Sequence, residues 1–153
     1  MNPDKHTWSR LNRLQLGKYA EYLVKMEFAL CGCDVFTAEV DDHGIDFVIR
    51  TRSGNHYDVQ VKSFRPETGY VFLQKAKFRI HPSTLLALVR FVDGEAPTIY
   101  LVRSCSESDA SCPNPIFKGR DYDPPEWGMT ISKKTLAYLA QGCSFHSVVG
   151  SLA

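Results

Sequence analysis

Little in this sequence is extreme, and each shortage removes a class of protein. No stretch approaches the ~20 uninterrupted apolar residues of a membrane span, and the opening MNPDKHTWSR has no apolar run of the secretory kind. A cytoplasmic protein is the expectation. Cysteines number five (Cys31, Cys33, Cys105, Cys112 and Cys143), an odd count with no CxxC pair. That argues against a disulfide framework or a closed zinc site. They read as buried or incidental thiols, with a metal or redox role left open for Cys105 and Cys112 beside a loop. Net charge is only +1, so composition alone supplies no electrostatic footprint for nucleic acid. The small positive excess lies in residues 1–79, which hold 12 Lys/Arg against 10 Asp/Glu. No internal repeat or low-complexity tract is present.

What is there suits a globular chain. With 153 residues, 44% of them apolar and 23% charged, one domain spanning 1–153 can bury a core without a structural metal. From Leu14 to Cys31, apolar residues at Leu16, Ala20, Leu23, Val24 and Phe28 have helical spacing, and Gly32 follows as a stop. DVFTAEV (34–40), IDFVIR (45–50), HYDVQVKS (56–63) and Tyr70–Phe78 read as strands, the last with edge character. LLALVRFV (85–92) reads as a buried strand and TIYLVRS (98–104) as its partner. Residues 105–128, with four prolines, read as a long irregular loop. A closing helix covers 131–142, capped by Ser132 and stopped by Gly142. This order predicts an α/β or α+β domain with one central sheet, mixed or antiparallel, flanked by helices.

GIDFVIRTRSGNHYDVQVKS (44–63) is too apolar for a surface segment, yet carries Asp46, Gln60 and Lys62. Alternation in the third strand puts Asp58, Gln60 and Lys62 on one face. A three-residue loop of Arg52, Ser53 and Gly54, with Gly54 left-handed, sets Asp46 opposite Gln60 with Lys62 two residues along. On the helix, Glu21 lies along the apolar stripe or its border, where a carboxylate needs a cation or donors. A pair with Lys25, four residues on, is the plain explanation. Two carboxylates and an amide oxygen beside a lysine would instead suit a hard divalent cation such as Mg2+ and phosphodiester chemistry.

The run LGKYAEYLVKMEFALCGCDVF, DDHGIDFVIR and YDVQVKS resembles the core of the PD-(D/E)xK nuclease superfamily, in particular Holliday-junction-resolvase-like and group I intron homing endonucleases. The likeness spans roughly residues 14–63. It implies a restriction-endonuclease-like core, DNA as partner, Mg2+ or Mn2+ as cofactor, and a homodimer that cuts both strands. Position by position, it implies that Glu21, Asp46, Gln60 and Lys62 are catalytic and that Asp46, Gln60, Glu21 and the Val61 carbonyl hold the metal. Ile45 stands where the motif has proline, and Gln60 replaces the acid.

Gln60 and the low net charge keep a second reading open, a catalytically inactive nuclease-fold module that binds nucleic acid or a protein partner. Ser63, Arg65, Lys75 and Lys77 are the candidate DNA contacts, although a solvated strand face explains such a cluster equally well. Asp42 is the auxiliary carboxylate if the site needs one. His43 and His81 read as turn and loop residues, and Trp127 as a core anchor rather than a stacking platform.

Overall fold

A computed structural model describes residues 4–40, 43–104 and 118–152. The first helix, α1 (Arg13–Leu30), starts at a capping box. The Asn12 side chain accepts from the Gln15 N–H while Gln15 reaches back to the Asn12 N–H, which satisfies two of the donors a helix start leaves over. Its buried stripe is Leu16, Ala20, Val24 and Phe28, a strict four-residue repeat that lays one narrow face on a sheet.

That sheet has five strands: β1 (Asp34–Phe36), β2 (Phe47–Arg50), β3 (His56–Phe64), β5 (Thr84–Arg90) and β6 (Thr98–Arg103), in the order β1-β2-β3-β5-β6. Only β3 and β5 are parallel. The sheet is therefore mixed, as expected. β5 is buried from Thr84 to Val89 because both of its faces are covered, which is why it reads as one unbroken apolar run. Leu85, Ala87 and Val89 face α1 together with Phe47, Ile49 and Val59. Leu86 and Leu88 face a second cluster with Phe64, Val71, Leu73, Met129 and Leu139.

The second cluster belongs to elements that the sequence pattern placed elsewhere. β4 (Tyr70–Gln74), β8 (Glu126–Thr130) and β7 (Lys118–Arg120) form a separate antiparallel sheet in the order β4-β8-β7. With α2 (Lys133–Gly142), whose Leu139 is buried in that cluster, this sheet covers the far face of the central one. A short α3 (Phe145–Gly150) packs Phe145 and Val148 beside α1. Two expectations are thereby corrected. The molecule has a second sheet beside the central one, and residues 118–128, within the loop expected over 105–128, supply one of its strands, β7, and most of another, β8. β1 ends at Phe36 and β4 at Gln74, short of the 34–40 and 70–78 ranges expected, because no neighbouring strand continues the pairing beyond them. Cys105, Cys112 and Asp42 lie outside the described residues.

Candidate functional site

The β2–β3 hairpin sets the site. Arg50 pairs with His56, and the Thr51 N–H donates to the Asn55 carbonyl at 2.8 Å. The chain turns through Arg52, Ser53 and Gly54, with Gly54 at φ +90. The odd loop length sets the predicted register as far as Phe47, which pairs with Val59.

At Asp46 the ladder departs from regular pairing. Its N–H donates to the Val59 carbonyl at 3.0 Å, and its Oδ2 accepts the Val61 N–H at 2.6 Å. The carboxylate thus takes the place of a strand carbonyl and pins β3 where β2 has ended. In an extended strand the N–H and C=O of one residue point to the same side. The Val61 carbonyl therefore faces the same gap.

Gln60 is half-buried, yet its Oε1 is wholly buried with no hydrogen-bond partner among the described residues. An orphaned buried acceptor costs on the order of 1–3 kcal/mol. It needs an electropositive partner. Two residues on, burial holds the Lys62 ammonium below the usual lysine range; Asp46 pulls it back up, while the cations Arg13 and Lys77 push it further down. Arg13 comes from the first turn of α1. Lys77 arrives because Gly44, at φ +75, lets the chain before Asp46 run against it, and a Cβ there would lie 2.8 Å from the Lys77 Cβ.

Glu21 sits on the flank of the α1 stripe, half-buried. Its partner is not Lys25 but Lys18, at 2.7 Å; Lys25 lies instead over the rings of Tyr22 and Phe47. The hydrogen bond that Lys18 donates to Glu21, and the Glu21 charge, raise the Lys18 pKa, and the Asp46 carboxylate adds to this. Lys18 therefore feels both carboxylates. Such an exposed i,i+3 pair is worth no more than ~1 kcal/mol, so a dication could displace Lys18.

No cluster of three or more His, Cys, Asp or Glu side chains exists among the described residues. The oxygen donors of the hairpin are the Asp46 carboxylate, the orphaned Gln60 amide oxygen and the Val61 carbonyl, while Glu21 stays on α1 in its pair with Lys18. All are hard oxygen ligands, and the set fits Mg2+ or Mn2+ in donor type, with fewer negative charges than an all-acid site.

The remaining candidates separate. Ser63 lines a cleft of about 430 Å3 together with Arg13, Lys62 and Arg65. Arg65 is already engaged, donating to the carbonyls of Leu11 at 2.8 Å and Trp8 at 3.2 Å, so it ties the segment before α1 to β3. Lys75 lies 4.6 Å from the Trp127 ring centre and 4.0 Å from Asp121, on the second sheet. Trp127 packs against the second cluster, as expected of an anchor. Arg13, Lys18, Tyr70 and Phe72 had no motif to mark them.

Elsewhere, Cys31 Sγ lies 3.6 Å from His146 Nδ1, and Glu27 lies 3.8 Å from the other ring nitrogen. Burial pushes this thiol up, away from the thiolate a nucleophile requires. Cys143 is buried in the core.

The chain matches no family model and no curated protein sequence. Among solved structures it resembles the bacterial homing endonuclease I-Ssp6803I, with a TM-score of 0.48 and 15% identity over 86% of this chain and 96% of that one. No residue roles carry across at that level. No helix among the described residues is long and apolar enough to cross a membrane.

Proposed function

We propose that this protein is a metal-dependent DNA endonuclease of the PD-(D/E)xK type, with Gln60 in the place of the acid. The buried Oε1 of Gln60, without a hydrogen-bond partner among the described residues and one residue from the N–H that holds the Asp46 carboxylate, is the observation that carries the reading. Asp46, Gln60 Oε1 and the Val61 carbonyl would hold the cation, and Glu21 would join them once Lys18 moves aside. The cation supplies charge neutralisation at the phosphate and makes water a better nucleophile at neutral pH.

The chain's own residues do the rest. Val61 fixes the Asp46 carboxylate by its N–H, so the ligand is oriented before substrate arrives. Lys62, with its pKa lowered, has a larger amine fraction than a free lysine and can accept the proton of the attacking water. The water oxygen bonds to phosphorus, and the sugar oxygen leaves with a proton from solvent. With one such site per chain, two copies would be needed to cut both strands, and a homodimer is part of the proposal.

A second reading rests on the same glutamine. With only two carboxylates near the site, the fold could bind nucleic acid without cutting it. Cleavage of duplex and branched DNA in Mg2+ or Mn2+, set against Lys62→Ala and against EDTA, decides between the two. Metal-dependent cutting that Lys62→Ala abolishes supports the nuclease. Binding without cutting in any metal supports the inactive module.

A further inference from the structure

The second sheet turns an aromatic pair outward beside the cleft. In β4, Val71 and Leu73 are buried while Tyr70 and Phe72 face away from the core. The two rings lie within 17° of parallel with centres 6.3 Å apart, and Phe72 is 42% exposed. Tyr70 is held flat. Its ring crosses Gly128 of β8, where any Cβ would collide with it, and its hydroxyl donates to Glu126 Oε1 at 2.9 Å.

Both rings line the cleft of about 430 Å3 whose charged residues, among the described residues, are Arg13, Lys62 and Arg65, with no described carboxylate in its lining. That volume lies within the ~300–1,000 Å3 range of small-ligand clefts. Cations and aromatic rings that line one cleft match a phosphate joined to a flat base. Duplex bases are stacked on one another and cannot offer their faces, so an unpaired base is the partner that gains from the rings.

We propose that Tyr70 and Phe72 form a stacking platform for an unpaired nucleotide of a DNA strand, with Arg13 and Lys62 facing its phosphates. Because Lys62 belongs to both the cleft and the candidate metal site, the stacked nucleotide lies next to the phosphate to be cut. This rests on the nuclease reading above and gives it a substrate class, DNA that carries a single-stranded arm or branch.

The test is fluorescence anisotropy in EDTA on the full chain carrying Asp46→Asn, with a blunt duplex and the same duplex bearing an unpaired oligothymidylate arm. The arm should tighten binding about tenfold, Phe72→Ala should remove that advantage, and Phe72→Trp should restore it. Equal affinity for the two duplexes, or an equal loss on both in Phe72→Ala, overturns the platform. So does a concentration-dependent dimer that Phe72→Ala dissolves without any preference for the arm, because the face would then belong to a second copy. The measurement needs no turnover. Lack of cleavage by the wild type would sink the nuclease and leave the platform standing, and the reverse outcome is equally readable.

Discussion

The Val61 N–H donates to the Asp46 carboxylate at 2.6 Å, so the residue proposed to hold the metal also closes the hairpin where β2 runs out. Asp46→Asn can keep that bond through its amide oxygen while losing the charge. Mn2+ affinity measured by calorimetry should fall by more than about tenfold, with the melting temperature in EDTA little changed. Unaltered Mn2+ binding would remove Asp46 from the site.

Gln60→Glu puts a charge where the wild type has a buried, unpartnered oxygen. In EDTA the buried carboxylate lacks a partner and should lower the melting temperature. Mn2+ should restore it, binding roughly tenfold tighter than to the wild type because ligand charge tunes affinity. Destabilisation that Mn2+ fails to reverse would place the metal elsewhere.

Lys62→Met separates stability from activity. Burial, Arg13 and Lys77 together depress the Lys62 pKa against the pull of Asp46, so folding disfavours the ammonium. The penalty is present in full below the folded pKa and is relieved as pH rises toward the unfolded value of 10.5. At neutral pH the variant should melt roughly 2–4 °C higher, a gap that narrows as pH is raised toward 10.5. Its cleavage should fall by ~100-fold or more. A lower melting temperature at pH 7 would contradict this account.

Gly44→Ala forces a side chain into a left-handed backbone at φ +75 and against Lys77. Urea unfolding should show a loss of about 1–3 kcal/mol. Because the same contact brings Lys77 toward Lys62, metal-dependent cleavage should drop as well. Wild-type stability in this variant would mean that the turn tolerates another path.

The sequence by itself determined the local geometry on which the site depends. An odd loop with Gly54 in the left-handed region sets the hairpin register through Phe47 and Val59, and the period-two alternation puts Lys62 on the Gln60 face. A four-residue stripe defined α1, and the unbroken apolar run of β5 announced a strand covered on both faces. These are short-range constraints, each contained within about twenty residues. Only the tertiary structure decided which strands leave the central sheet. β4 pairs with β8 across more than fifty residues of chain, and nothing in YVFLQ or EWGMT names the other. Likewise, Glu21 met Lys18 rather than Lys25, because Lys25 lies over the rings of Tyr22 and Phe47, and the Phe47 ring comes from another element. The Arg13 and Lys77 charges around Lys62 and the Tyr70 ring over Gly128 arise from elements that meet only when the chain has folded.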